Sequence, residues 1–444
     1  MKQRIRLSDH FGYGRLIRFV LPSVGMMVFT SVYGVVDGFF VSNFVGKTPF
    51  AALNFIMPFL MILGTTGFLF AAGGSALVGK TMGQGDDDRA CRLFSLFLWV
   101  PLGISVIVSV LGIVFIPFVA GFLGAEGEML ELAVLYGRIV LLANPAFTLQ
   151  MEFQVFFVTA EKPRLGFWIT VAAGVANMVL DALFLGVFRW GLEGAAAATA
   201  VSQAVGGFVP LLYFALPNSS RLHIRKCKWD GKALWKAVGN GSSELMSNIS
   251  MSVVGMLYNA QLMRYAGEDG VAAYGVLMYV NMIFIAIFIG FSIGSAPVVS
   301  FHYGAENRDE LKSLRRKSAV LIAVSSVLML AFSLGMAVPL SRLFVGYDKG
   351  LYEMTLRGFL IHSFCYLFAG CAIFGSGFFT ALNNGAVSAA ISFLRTAVFE
   401  VAAVLILPAL FGLDGIWLAT VAAEGAAFAV TECFYLINRR RYGY

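Results

Sequence analysis

Charge is what this chain has least of. Asp, Glu, Lys and Arg make up only 13% of its 444 residues, hydrophobic residues make up 59%, and the mean hydropathy is +0.81. A soluble domain usually has about a quarter of its residues charged, so a water-exposed enzyme or binding module is excluded. The five cysteines (Cys91, Cys227, Cys365, Cys371 and Cys433) form no CxxC pair, which suggests neither a disulfide framework nor a zinc site. No HExxH run marks a metallopeptidase, and the chain is not expected to be an enzyme. The first apolar stretch is too long for a removable leader, contains Asp37 and lacks a small-residue cleavage pattern, so it is read as helix one.

What remains is apolar sequence in membrane-sized pieces. A membrane helix takes roughly 20 mostly apolar residues. Twelve such stretches are predicted near 17–40, 49–80, 90–116, 132–160, 165–187, 193–216, 234–263, 270–302, 314–340, 352–381, 385–410 and 415–437. With the N-terminus inside, 24 of the 32 basic residues, from Lys2, Arg4 and Arg6 through Arg439 to Arg441, fall in the inner segments. Lys47 and Arg138 are among the few outside. By the positive-inside rule both termini are cytoplasmic. That asymmetry accounts for the net charge of +7, so no nucleic-acid partner is expected. The basic segment 217–236 reads as a cytoplasmic linker touching anionic headgroups. It separates an N-lobe, 1–216, from a C-lobe, 237–444.

The two halves repeat each other. A shift of 221 residues sets FVGKTPFAALNFIMPF, from Phe44, on YAGEDGVAAYGVLMYV, from Tyr265. It pairs Gly46 with Gly267, Ala51 with Ala272, Gly73 with Gly294, Gly83 with Gly304, Gly194 with Gly415 and Thr199 with Thr420. A two-residue adjustment brings Asp181 onto Glu400. The fold class is therefore an all-α polytopic membrane protein with twelve transmembrane helices in two pseudo-symmetric six-helix lobes, the usual layout of a secondary transporter.

Chemistry is expected where charge enters the hydrocarbon, because a charged group there costs a few kcal/mol and survives with a partner or a task. In the first half these residues are Asp37, Glu152 and Asp181. Tyr33 precedes Asp37 by four residues and Asn177 precedes Asp181 by four, so each pair shares a helix face. Counted at ~1.5 Å per residue, Asp37, Asp181 and Thr199 all fall in the outer half of the membrane. Two carboxylates, an amide and a hydroxyl can ligate Na⁺ or share a proton. Asn177 and Thr199 also fit interhelical hydrogen bonding. Glu152, flanked by Gln150 and Gln154, is expected to line a wet cavity.

These residues carry a family resemblance. The run PSVGMMVFTSVYGVVDGFFVSNFVG, with Pro22 and Tyr33 ahead of Asp37, resembles the first helix of the multidrug and toxic compound extrusion (MATE) transporters. NMVLDALFL followed by GLEGAAAATAVSQ is similar to that family's fifth and sixth helices. The resemblance covers essentially the whole chain. It implies two lobes forming a V around a central cavity, and efflux driven by inward flow of H⁺ or Na⁺. It further implies that Tyr33, Asp37, Asn177, Asp181 and Thr199 form an N-lobe cation site, with Pro22 letting the first helix bend.

The second half departs from that pattern. Tyr258 stands where the shift would place a second Asp37, and the lobe offers Glu244, Arg395, Glu400, Glu424 and Tyr366 instead. Depth counting pairs Glu244 with Arg395 as a buried ion pair and puts Glu400 near Glu424. Met26, Met27, Phe29, Met246, Tyr258, Met278 and Phe284 are read as an adaptable methionine and aromatic wall of the cavity. The expected function is a cation-coupled antiporter, H⁺ favoured over Na⁺, that exports amphipathic and often cationic drugs by alternating access. The alternative is a flippase for a lipid-linked or polyprenyl substrate. No cofactor is expected beyond the transported H⁺ or Na⁺, and no metal beyond a Na⁺ at the Asp37/Asp181 cluster. The expected partners are membrane lipids and small drug-like cations. The chain is expected to work as a monomer in the bacterial cytoplasmic membrane.

Overall fold

The computed structural model describes residues 5–122 and 124–444. Lys2 and Arg4 lie outside the described residues, as do the side chains of Lys47 and Ala51. Among the described residues the regular structure is all helical. The helices are α1 (Tyr13–Phe44), α2 (Lys47–Gly83), α3 (Asp87–Phe122), α4 (Gly127–Thr159), α5 (Pro163–Val187) and α6 (Leu192–Ala215). A continuous run, Gly231–Gly304, follows and is broken at Gly267 (φ 63°, ψ −151°) into α7 (231–266) and α8 (268–304). The rest are α9 (Arg308–Val345), α10 (Lys349–Ala381), α11 (Gly385–Phe411) and α12 (Leu413–Tyr442). Each lies on one of the twelve stretches read from the sequence.

Short polar signals start several helices. Asp230 accepts from the Ala233 amide at 3.0 Å, Asn307 from Glu310 at 3.1 Å, Asp348 from Leu351 at 3.0 Å and Asn384 from Val387 at 3.4 Å. Each satisfies an amide that a helix N-terminus leaves open. The Asp230 cap starts α7 at Gly231, earlier than a linker reaching Lys236 implies. The connection before it is tied down by Arg221 on Asp87 (2.7 Å) and by Arg225 on Asp88 at the start of α3.

The sequence repeat is also a backbone repeat. Gly46 and Gly267 break the chain at the first and second hairpins with φ of 99° and 63°, a region open to glycine. Gly191 (φ 63°, ψ −142°) and Gly412 (φ 60°, ψ −137°), again 221 apart, make the same turn before α6 and α12.

The halves meet where α1 and α2 cross α7 and α8, and glycines set the distance. A Cβ at Gly73 would overlap the Ala237 carbonyl oxygen, and one at Gly241 would overlap that of Leu69. Gly83 and Gly304 lie against the Phe301 and Lys80 carbonyls in the same way, while Gly290 and Gly294 lie against Val24 and Val20. All these contacts fall toward the end of the helices that carries the basic loops, called here the basic end. The apolar core around Phe94, Phe97, Phe156 and Phe214 there also takes in Ala237, Val298 and Phe301 from the second half. At the opposite end, the cluster holding Val41, Ile56, Ile116, Tyr136 and Leu185 draws its buried members from α1 to α6 alone. The halves are sealed at the basic end and part toward the other.

A branched side chain in this seam has nowhere to go, and overpacking of that kind costs about 1–3 kcal/mol. Gly73→Val should lower the thermal unfolding temperature of the purified protein and make a cysteine placed at the seam, such as Ala237→Cys, more reactive to a water-soluble maleimide. Unchanged melting and labelling would show that the seam is looser than described.

Candidate functional site

Two helices of the first half build the site. Tyr33 and Asp37 share one face of α1, and α5 carries Asn177 and Asp181 up to it. Gly174 on α5 permits the approach, since a Cβ there would run into the rings of Phe29 and Tyr33. Asp37 has Asp181 and Asn177 as side-chain neighbours, and Tyr33 stands beside it. Directly beyond Asp181 the helix widens into π-type turns over Ala182–Val187, a feature frequent at functional sites.

The chemistry of the cluster is one-sided. Oδ1 of Asp37, both carboxylate oxygens of Asp181 and Oδ1 of Asn177 are buried and accept no hydrogen bond among the described residues. Asp181 is fully buried, at 0% exposure. Every one of these atoms is an acceptor. Buried acceptors without donors are costly, and carboxylates brought together more so. A cation, or a proton shared between the carboxylates, supplies what is missing.

Two details differ from the sequence reading. Thr199 is half-buried on α6, and no hydrogen bond joins it to the cluster among the described residues. Tyr136 of α4, which no charge or motif singled out, is buried within electrostatic range of both Asp37 and Asp181. Pro22 is half-buried in an α1 that remains helical throughout.

The corresponding place in the second half is filled by the protein itself. Tyr258, the counterpart of Asp37, bonds Thr420, the counterpart of Thr199, at 2.8 Å and stacks on Tyr274 at 5.0 Å. Glu400, the counterpart of Asp181, faces both tyrosines. The expected Glu244–Arg395 ion pair is not formed. Arg395 instead makes a bidentate bridge to Glu424, with Nε and Nη2 contacts of 2.7–3.0 Å, while Glu244 and Glu400 remain within electrostatic range of the guanidinium. Depth counting gives the level of a side chain but not the neighbour it faces, so it could not choose between Glu244 and Glu424; π-type turns over Leu394–Glu400 also interrupt the regular helix here. Tyr366 is separate, packed on Phe284 at 5.0 Å in the core, and Cys365 is the neighbour that reaches the acids.

The expected cavity wall is also revised. Gln150, Glu152 and Gln154 are buried inside the first half, and Gln150 packs against Gly206 of α6. Met26 is buried in the first half, and Tyr258 and Phe284 in the second. Met27, Phe29, Met246 and Met278 are half-buried, while Met251 and Met256 are exposed. Two runs match enzyme patterns by letter, and the fold removes both. Gly74 to Thr81 reads GxxxxGKT inside unbroken α2, where the amides are already in helical hydrogen bonds and cannot cradle a phosphate. Gly290 to Gly294 reads GxSxG inside α8, against α1 rather than at a strand-to-helix turn.

With this geometry in place, known proteins can be set beside it. The profile of the MatE family matches residues 22–183 and 245–406, one copy in each half. The multidrug export protein MepA of Staphylococcus haemolyticus (strain JCSC1435) is 24% identical over 432 residues, covering 96% of this chain and 94% of that protein. Among solved structures, a crystal structure of MATE in complex with MaL6 superposes with a TM-score of 0.92 at 20% identity, covering 100% of this chain and 99% of that one. An outward-facing multidrug resistance MATE transporter of the MOP superfamily does so with a TM-score of 0.90 at 21% identity, covering 98% and 97%.

Breaking a buried pair strands a charge at about 3–5 kcal/mol, whereas replacing both partners with apolar groups is close to neutral. Arg395→Met and Glu424→Gln should each reduce the yield and melting temperature of the purified protein, and Arg395→Met with Glu424→Leu should recover most of the loss. Glu244→Gln should be mild. A double variant no better than either single would mean that the bridge does not hold the lobe.

Proposed function

Because this chain belongs to the MatE family, we propose that it is a cation-coupled antiporter of the bacterial cytoplasmic membrane, exporting amphipathic, often cationic compounds in exchange for H⁺. The observation that carries the reading is the donor-free set of buried oxygens on Asp37, Asp181 and Asn177. A transporter needs a site whose occupancy changes the packing of the helices around it, and an acceptor cluster shared by α1 and α5 meets that need. H⁺ is favoured over Na⁺ because one proton between the carboxylates provides the absent donor. Na⁺ would call for a fuller shell of oxygen ligands.

The orientation comes from the basic loops, which put both termini in the cytoplasm. On that reading the sealed basic end is the cytoplasmic side and the parted end faces out. The lobes, 1–216 and 237–444, then exchange access by rocking about the seam, with residues 217–236 as the connection. Export of drug-like cations is supported by the likeness to MepA. The lipid-flippase alternative loses support, since it calls for a basic centre and Arg395 is neutralised by Glu424.

Asp37→Asn keeps the shape of the side chain and removes its ability to exchange a proton. It should abolish efflux while leaving expression and melting near wild type; normal drug resistance in cells making wild-type amounts of the variant would sink the assignment. For the ion, proteoliposomes should export a fluorescent cation under an imposed pH gradient in nominally Na⁺-free buffer and stop when a protonophore is added. Transport that ignores the pH gradient but vanishes when choline replaces Na⁺ would overturn the proton and leave the site standing.

A further inference from the structure

Where α1 and α5 part at the basic end they leave a cavity of ≈ 790 Å³, within the ~300–1,000 Å³ usual for small-molecule sites. Its walls are charged in one sense. Arg15 and Arg18 come from the first turns of α1, and Lys162 and Arg164 from the start of α5. Glu161 is the carboxylate in the lining, and it is already engaged, accepting from the Leu7 amide at 3.0 Å with the Arg221 guanidinium 3.6 Å away. Arg15 donates to the His10 carbonyl at 2.7 Å and lies 4.0 Å from Asp9, and Lys162 bonds Ser219 at 2.8 Å. Arg18 and Arg164 are exposed and make no hydrogen bond or ion pair among the described residues. The floor is apolar, formed by Phe19 and Leu165.

The surroundings indicate which anion fits. On the same two helices, Ile17 beside Arg18 and, one turn further along, Leu21 and Trp168 are exposed at 43%, 60% and 64%. Exposed aliphatic groups with a tryptophan beside a basic rim are the pattern of a membrane interface. A soluble phosphate would use the arginines and leave this apolar strip idle. A phospholipid uses both.

We propose that this cavity binds an anionic phospholipid, its phosphate between Arg18 and Arg164 and its acyl chains along Ile17, Leu21 and Trp168. The consequence lies in the helices involved. α1 and α5 also carry Asp37 and Asp181, and their spacing is already tight at Gly25, against the Phe167 ring, and at Gly174. A headgroup wedged at the foot of this pair sets the angle at which the two carboxylates meet, so the lipid modulates the site and is not cargo. Binding stands without the antiport reading; only its effect on transport rests on it.

The test uses the full-length protein, delipidated in detergent, with phosphatidylglycerol, phosphatidylcholine or inorganic phosphate added. Native mass spectrometry should show retained phosphatidylglycerol, and that lipid alone should raise the melting temperature. Arg18→Gln with Arg164→Gln should weaken its binding by roughly thirtyfold, the scale expected for two basic residues at an anionic interface. A charge-matched control on α9 outside the cavity lining, Lys312→Gln with Arg316→Gln, should leave it unchanged. Leu165→Trp, which fills the cavity without changing its charge, should also weaken binding and keeps the test alive if the arginine variant fails to fold. The proposal is overturned if the arginine variant binds phosphatidylglycerol like wild type, if the control loses as much, or if inorganic phosphate stabilises the protein as well as the lipid does.

Discussion

Backbone-to-backbone contact between the two halves is the constraint on which the rest depends. Helices that carry side chains on their facing surfaces keep axes about 8–10 Å apart. Here Gly73, Gly83, Gly241 and Gly304 remove the side chains, so carbonyl oxygens of one half take the space where a Cβ of the other would sit, and Gly290 and Gly294 admit Val24 and Val20 in the same way. In a membrane, where lipid tails are as apolar as leucine, such close packing is a main source of helix association. Confining it to one end leaves the halves joined there and free to part at the other. The repeat makes the seam reciprocal: Gly73 and Gly241 face α7 and α2, and their counterparts Gly294 and Val20 face α1 and α8.

The same repeat gives two chemically different pockets. In the second half, Tyr258 donates or accepts with Thr420, so the hydroxyls satisfy each other and the pocket is closed by protein. In the first half, Asp37 stands in place of that tyrosine and brings a carboxylate to a place where both oxygens of Asp181 and Oδ1 of Asn177 are also buried without a donor. Differences at a few positions between the repeats, Asp37 against Tyr258 first among them, thus separate a self-satisfied contact from a cluster with unpaired buried oxygens. Arg395 shows the complementary solution, a buried charge neutralised by the bidentate geometry of Glu424.

How far these features were legible in the sequence follows from what each depends on. The helices and their pairing could be read because apolar length and glycine position are properties of the chain itself; Gly46 with Gly267 and Gly191 with Gly412 recur as the same backbone turns. Asp37, Asp181 and Asn177 could be gathered because charge in hydrocarbon is conspicuous and four-residue spacing sets a face. The partner of Arg395 could not be read, because depth along a helix does not say which neighbouring helix a side chain faces. Nor could Tyr136, which is one more aromatic in an apolar helix. Glu152 was misplaced because its burial depends on how α4 is rotated toward its neighbours, and Gln150 and Gln154 flank it without fixing that rotation.

α1 is where the site and the seam are held by one element. Its C-terminal part presents Tyr33 and Asp37 to α5, and its N-terminal part presses Val20 and Val24 against Gly294 and Gly290 of α8. Pro22 lies between those two valines. It has no amide to give, so the carbonyl of Arg18 loses its partner and the helix is weakest in bending where it crosses the other half. A stiff α1 would transmit any shift at Asp37 as a tilt of the whole helix, which the glycine contacts would resist over their full length. With a soft point inside the seam, the C-terminal part of α1 can bend about Pro22 while the N-terminal part stays packed against α8. The helix thus joins the carboxylate cluster around Asp37 to the glycine seam with the second half.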